Sequence, residues 1–305
     1  MRFERVIVTG GSGRLGRFVV DELVGACAPT VLDIAPPLQE VPYIEADILD
    51  SGAVRAAVEG YDAMIHLAGY DDGMAPDEKG YVETNIQGAW NVLHAAEEAG
   101  LRKVVVASSF AALGLGYGRM PDYLPVDESH PLRPTKAYGL SKQVIETVAR
   151  HFVRRGRLEI VCLRPTLIVR PEREAAILAQ LALPDPDSDA PAGTVGPGGV
   201  EPAGALSPTR GYVRSVDAAR CFRFALDHEG DAFDIFNVAA GDTIGRVETL
   251  KRLEDVFGRV PDVRDPALYA GDPHAGALSV SRVRDVLGWE VEGDWQGIAA
   301  RHGAG

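Results

Sequence analysis

A glycine-rich turn close to the start of the chain constrains the fold more than any other feature. Residues 5–8 form a short, largely apolar run that leads directly into Thr9-Gly-Gly-Ser-Gly-Arg-Leu-Gly16, and residues 15–24 then carry helical spacing. The turn reads as Gly10-x-x-Gly13-x-x-Gly16 or as Gly11-x-Gly13-x-x-Gly16, and both parsings do the same physical work. Glycine lets the backbone turn sharply and approach an anion closely. A helix beginning after Ser12 directs unpaired N–H groups and the positive end of its dipole at that anion. Arg14 and Leu15 complete the turn.

An acid closes the second expected strand at Asp33, twenty residues after Gly13. A strand, a glycine turn, a helix and then an acid form the order that a dinucleotide site requires. A carboxylate at Asp33 accepts hydrogen bonds from ribose hydroxyls and repels a 2′-phosphate, which favours NAD over NADP; Arg14 tempers the preference. Asp47-Ile48, after the third strand, can hold an adenine amino group or simply form a turn.

The first 170 residues alternate short apolar runs (5–8, 30–33, 63–67, 103–107 and 159–163) with helical stretches at 15–24, 51–59, 81–100 and 137–155. Strands that are apolar throughout are buried on both faces, and the intervening helices serve as crossovers. The expected class is therefore α/β, a doubly wound parallel sheet followed by a smaller C-terminal unit. The sheet domain is expected over 1–168, rejoined by about 212–238, with a helix and a strand at 211–226 and 233–238. Residues 169–211 and 239–305 make up the part outside the sheet, which closes with an α-rich unit ending in Trp295. Within it, 184–211 holds six Pro and six Gly and reads as a loop or lid.

Composition excludes several functions. Forty-four acidic against 31 basic residues leave a formal charge of -13, which opposes binding to nucleic acid or to an anionic membrane. No run approaches the roughly 18 apolar residues of a membrane span, and the N-terminal residues lack a secretory pattern. Cys27, Cys162 and Cys221 are odd in number and widely spaced, with no metal-binding pattern. The expectation is a cytoplasmic protein with buried thiols and no metal.

Tyr138-Gly-Leu-Ser-Lys142 places a phenol and an ammonium about 6 Å apart along one helix face. A neighbouring cation favours the tyrosinate, which suits the phenol to proton transfer. Ser109, after the 103–107 strand, stands where it can hydrogen-bond the same substrate oxygen, and Ser108 precedes it.

At these residues the chain resembles the extended short-chain dehydrogenase/reductase family, the NAD-dependent epimerases and dehydratases. The likeness also rests on His66-Leu67-Ala68-Gly69, Asn85-Ile-Gln-Gly-Ala-Trp-Asn-Val-Leu93, Leu163-Arg-Pro165, Tyr212-Val-Arg-Ser-Val-Asp217, Phe236-Asn-Val238 and Leu287-Gly-Trp289. The resemblance implies a Rossmann-like doubly wound parallel sheet with a smaller C-terminal substrate-binding domain (169–211 and 239–305), bound NAD and a catalytic set of Ser109, Tyr138 and Lys142, with Lys142 on the nicotinamide ribose. Cofactor contacts are implied for Gly10, Gly13, Arg14, Leu15, Gly16, Asp33, Asp47, Ile48, Leu67, Ala68, Gly69, Asn85, Ser108, Tyr138, Lys142 and Pro165. A homodimer formed through helices 81–100 and 137–155 is implied as well.

Nucleotide-sugar 4-epimerases of this family grip the substrate diphosphate with one asparagine and two arginines. Here Arg210 is kept, but Leu167 and Tyr269 occupy the other two positions. Each charge-assisted bond contributes about 1.5–3 kcal/mol, so their loss points to a smaller substrate: a free sugar, a sugar acid or a polyol. Arg170 or Arg173 can meet a carboxylate, although the register is imperfect, or can face water as loop charges. Asp71 and Asp72 can bind sugar hydroxyls, and Phe110 can wall the pocket or join the core. A UDP-hexose 4-epimerase and a non-catalytic NAD-binding regulatory protein are the rival expectations. The intact Ser/Tyr/Lys set opposes the latter.

Overall fold

The computed structural model describes residues 2–115, 119–181, 207 and 209–302. The chain begins with β1 (Arg5–Thr9), α1 (Gly16–Leu23), β2 (Ala28–Asp33), β3 (Tyr43–Glu45), α2 (Ser51–Ala57) and β4 (Ala63–His66). A continuous helix follows, built from a first turn α3 (Glu78–Gly80), a π-helical stretch Tyr81–Gln87 and α4 (Gly88–Glu98). Next come β5 (Lys103–Ala107), a 3-10 turn Phe110–Leu113, β6 (Tyr123–Leu124), α5 (Ala137–Arg154), β7 (Glu159–Pro165), β8 (Leu167–Val169) and α6 (Pro171–Leu181). The C-terminal part contains β9 (Tyr212–Arg214), α7 (Ser215–Asp227), β10 (Phe233–Val238), α8 (Thr249–Phe257), β11 (Asp262–Val263), α9 (Pro266–Gly271), α10 (Ser281–Leu287) and α11 (Trp295–Arg301).

Seven strands form one sheet in the order β3-β2-β1-β4-β5-β7-β10, and every pairing is parallel. The alternation along each strand explains the apolar runs. Val6 and Val8 of β1 pack on one face with α1, α7 and α10, while Ile7 packs on the other with α2, α4 and α5. The same division separates Val105 from Val104 and Val106 on β5, and Val161 and Leu163 from Ile160 and Cys162 on β7. Two smaller pairs, β6 with β11 and β8 with β9, lie outside this sheet. Each carries its own apolar cluster, one around Phe110, Leu253 and Tyr269 and the other around Tyr212, Ile244 and Trp295.

The sheet class matches the expectation, and several local elements differ. The stretch 211–226 divides into β9 and α7, because Tyr212 and Val213 pair with Leu167 and Ile168 of an unexpected strand, β8. The helix expected over 81–100 starts three residues earlier and opens into a π-helical turn. Trp295 begins a last helix rather than ending the unit. Residues 171–181 are helical, and the loop expected over 184–211 falls outside the described residues except at 207 and 209–211.

Trp289 ties the C-terminal part to the sheet. It is fully buried against the α1/α7 layer, and its indole N–H donates to the carbonyl of Asp217 at 3.0 Å. Trp289→Ala is expected to lower the unfolding free energy by about 3–5 kcal/mol, the usual cost of such a cavity. Urea titration measures this, and a loss below about 1 kcal/mol would show that the C-terminal part is not coupled to the sheet.

Candidate active site

The site forms where loops leave the C-terminal ends of β1, β4 and β5. Gly10 has φ +72, and a Cβ there would lie 2.5 Å from the Ala68 nitrogen, so the first loop and the loop after β4 touch through bare backbone. Gly16 is equally constrained, since its Cβ would sit 2.1 Å from the Gly10 carbonyl. Gly13 differs, because its Cβ would meet nothing but the Gly10 oxygen, at 3.1 Å, which leaves open space for a ligand to approach the backbone. The helix begins at Gly16, and no side chain caps it. The N–H groups of Arg14, Leu15 and Gly16 have no hydrogen-bond partner among the described residues. Three donors at the end of a helix dipole make an anion cradle.

Asp33 stands at the rim of that cradle. Its Oδ2 accepts from the Ser12 N–H at 3.0 Å and its Oδ1 from the Ile34 N–H at 2.8 Å, so the carboxylate is fixed in place with lone pairs to spare. Asp47 is exposed and accepts from the Leu49 N–H at 2.9 Å. Ile48 is buried under Gly88, and its carbonyl accepts from Asn91. Leu67 and Ala68 are partly buried in the loop after β4, and Gly69 is exposed there with φ +147. Pro165 is buried at the end of β7.

Tyr138 and Lys142 are buried on the first two turns of α5. Lys142 Nζ lies 5.6 Å from the centre of the Tyr138 ring and donates to the Ala107 carbonyl at 3.0 Å. The Ser109 hydroxyl lies near enough to the Tyr138 phenol to favour its ionised form, and Ser109 Oγ accepts from the Ala111 N–H at 3.1 Å. The three residues of the expected catalytic set therefore converge. Burial and the charges of Asp71 and Asp72 push the Tyr138 phenol up, against the opposing effect of Ser109. Burial pushes Lys142 down to about 8, opposed by Asp71. This corrects the expectation of a phenol made acidic by its ammonium neighbour, because in a dry pocket desolvation outweighs that attraction.

Asn85 shows why the preceding helix widens. Its side chain clamps Tyr70 from both sides, accepting from the Tyr70 N–H at 2.7 Å and donating to the Tyr70 carbonyl at 3.0 Å. It also donates to Ser141 Oγ at 3.1 Å, and Ser141 in turn donates to the Tyr138 carbonyl. Tyr81, on the same π-helical stretch, lies 5.7 Å from the Tyr138 ring and donates to the Asp71 carbonyl at 3.2 Å. π-Turns within α-helices concentrate at functional sites. The sequence reading missed Tyr81, and a helical pattern with one extra residue gives no local signal.

Residues 6–239 match the NAD dependent epimerase/dehydratase family. The chain belongs to that family. Over 326 aligned residues it is 24% identical to a UDP-glucose 4-epimerase of Streptococcus mutans, covering 95% of this chain and 92% of that one. Over 169 residues it is 35% identical to a uronate dehydrogenase of Pseudomonas putida, covering 53% of this chain and only 60% of the relative. In fold it is similar to a short-chain dehydrogenase/reductase superfamily protein of Agrobacterium tumefaciens solved with bound NAD (TM-score 0.72, 24% identity, 98% and 95% of the two chains).

Membership in the epimerase/dehydratase family makes NAD the cofactor, and the residues present fit it: three unpartnered N–H groups, an open approach at Gly13 and a fixed carboxylate at Asp33. Other expected residues are committed elsewhere. The Ser108 hydroxyl donates to Glu146, and Phe110 is buried in an apolar cluster with Tyr269 rather than open to the crevice. Arg170 donates to Glu172, an acid it shares with Arg17. Arg210 is buried with a left-handed backbone, φ 50. Among the described residues no group of three or more His, Cys, Asp or Glu side chains can hold a metal.

The Asp71 charge holds the proton on Tyr138, so removing it favours the phenolate. Asp71→Asn is expected to move the acid limb of kcat/KM for oxidation to lower pH. Its side chain is 63% exposed, so screening limits the shift to about half a unit. A pH profile of NADH formation checks this; a limb that stays put or moves up contradicts the assignment.

Proposed function

We propose that the chain is an NAD-dependent dehydrogenase that oxidises a hydroxyl of a free sugar or sugar acid. NAD, when bound, supplies the hydride acceptor. Ser109 holds the substrate oxygen, and Tyr138 removes its proton as the carbonyl forms. Lys142 binds the nicotinamide ribose and offsets the charge that appears on the phenolate. Asp71 stands beside this group, where it can accept hydrogen bonds from sugar hydroxyls, and Arg170, once it exchanges Glu172, or Arg173 is the cation for a substrate carboxylate. Residues 169–211 and 239–305 are assigned to the substrate-binding region.

The observation that carries this reading over its rival is the fate of the two missing diphosphate anchors. Leu167 is a half-exposed, uncharged side chain on β8. Tyr269 is buried in an apolar cluster, and its hydroxyl donates to the Gly276 carbonyl at 3.2 Å, so it has no freedom to reach a phosphate. The uronate dehydrogenase likeness, higher in identity though shorter in span, supports the same choice. A UDP-hexose 4-epimerase is the second reading, supported by the retained Arg210 and by the near full-length likeness to a UDP-glucose 4-epimerase.

Purified protein incubated with NAD and a panel of free sugars, uronates and UDP-hexoses separates the two readings. Net NADH formation with a free sugar or uronate is the expected result. Isomer exchange of a UDP-hexose without net NADH would establish the epimerase, and NAD binding with no turnover would leave a regulatory role. Tyr138→Phe is expected to lower kcat by about 10²–10⁴-fold, the range for lost proton transfer, with NAD affinity little changed.

A homodimer through the helices at 81–100 and 137–155 is part of the same reading. Val82, Trp90 and Leu140 expose large apolar surface on these helices, and Trp90 stacks on His151 at 5.6 Å. Sedimentation of Trp90→Arg is expected to show a monomer where the parent chain is a dimer. The three cysteines are free, which suits a reducing, cytoplasmic setting, and no described helix is long and apolar enough to cross a membrane.

A further inference from the structure

We propose that Glu146, gripped by Arg164 and bonded to Ser108, is a positioning residue that sets the register of α5 on the end of β5. Ser109, Tyr138 and Lys142 stay in contact because of that register. The inference rests on reading those three residues as the catalytic group, but it concerns residues outside that group.

Three consecutive residues at the end of β5 meet three successive turns of α5. Ser109 lies beside the Tyr138 phenol, the Ala107 carbonyl accepts from Lys142 Nζ at 3.0 Å, and Ser108 Oγ donates to Glu146 Oε1 at 2.6 Å. Tyr138, Lys142 and Glu146 are spaced by four residues, so they share one helix face. Val104 and Val106 pack against the α4/α5 layer, and Ser108 continues that alternation toward Glu146. Of the three contacts, two belong to the reacting groups and must tolerate substrate arriving between them. The third has no such duty.

The third contact is also the most constrained. Arg164 Nε donates to Glu146 Oε1 and Nη2 to Oε2, both at 2.8 Å, and each side chain is only 2% exposed. A bidentate guanidinium–carboxylate pair has essentially one geometry. The remaining Arg164 donor, Nη1, reaches the Glu128 carbonyl at 3.3 Å, and Glu128 Oε1 accepts from the Asn237 N–H at 2.8 Å. The carboxylate is thus anchored to β7 and β10 through bonds that substrate does not touch. A helix pinned at Glu146 carries Lys142 one turn away and Tyr138 two turns away to fixed positions, and Ser108 ties the strand end to the same point.

The test uses Ser108→Ala and Glu146→Asp, which keep every charge, so any change follows from position. The chain has five lysines, Lys79, Lys103, Lys136, Lys142 and Lys251, so 15N-lysine labelling gives few side-chain signals. Lys142 should titrate near 8 in the parent. If the register slips, water reaches the ammonium and the midpoint rises by about half a unit or more in both variants. Lys103, buried at the opposite end of β5, serves as the internal control and should not move. An unmoved Lys142, or a Lys103 that shifts with it, would overturn the proposal.

Turnover gives a second reading of the same variants. With a sugar that the parent oxidises, kcat per bound NAD should fall about tenfold, while KM and the Kd for NAD stay within about twofold. In a Ser109→Ala background, Glu146→Asp should cost clearly less than its tenfold in the parent, because one of the contacts it protects is already gone. A full additive loss would make the pair merely structural. A parent with no turnover on any sugar refutes the proposed reaction, and the lysine titration then decides this inference by itself.

Discussion

The whole site depends on the reversal of strand order at β1. From β1 the chain moves one way to β2 and β3, then returns across to β4, β5, β7 and β10. The loop after β1 therefore leads to α1 on one face of the sheet, and the loop after β4 leads to α4 on the other. Such a reversal opens a crevice beyond the strand ends that no side chain needs to carve. The loops flanking it are held together by the backbone contact of Gly10 with Ala68 and by the close approach of Gly16 to Gly10, both of which any Cβ would prevent. The anion cradle then follows from backbone geometry, and the neighbouring strand β5 delivers Ser109 to the same rim.

Proton transfer depends on the second constraint, the dryness of the pocket around α5. Burial moves both partners of the pair toward neutrality: the phenol up, the ammonium down to about 8. Near neutral pH the phenol is therefore uncharged, while Lys142 still keeps most of its proton. Asp71 acts on both in the same direction, keeping the proton on each. Ser109 favours the phenolate, so its position beside Tyr138 has to be held by something other than substrate. His66, buried beneath, is pushed down to about 3 by burial and then by Lys142, and it bonds Thr9 at 2.7 Å; it remains a neutral packing group.

Much of this was legible in the residues. The apolar runs gave away the parallel sheet because strands buried on both faces cannot alternate, and Gly10, Gly16 and Asp33 occupy the positions their spacing demands. Three features were not. The π-helical turn at Tyr81–Gln87 is stabilised by Asn85 bonding to Tyr70 and Ser141, contacts between distant segments that no local pattern encodes. The short strands β8 and β9 exist through pairing with each other, so neither reads as a strand alone. The sign of the Tyr138 perturbation needs the depth of burial, and spacing along a helix carries no information about depth. Ser108 misled in the same way, since one residue of strand period turns its hydroxyl from the crevice to Glu146.

The two catalytic readings place opposite demands on the cofactor site. An epimerase returns the hydride and gains by never releasing NAD, whereas a dehydrogenase must open and exchange it at every turnover. The side-chain bridge between the two flanking loops, Arg14 to Asp71, spans 3.8 Å, and its members are 53% and 63% exposed. A pair so solvated contributes about 0–1 kcal/mol, less than a tenfold change in residence. Arg14 also donates to Met74 Sδ at 3.3 Å, a weak acceptor on the same loop. The cradle itself is backbone, and these are two weak side-chain contacts between the described parts of the flanking loops. A weakly bridged rim offers little resistance to exchange of a bound cofactor, which is what the proposed dehydrogenase requires at each turnover.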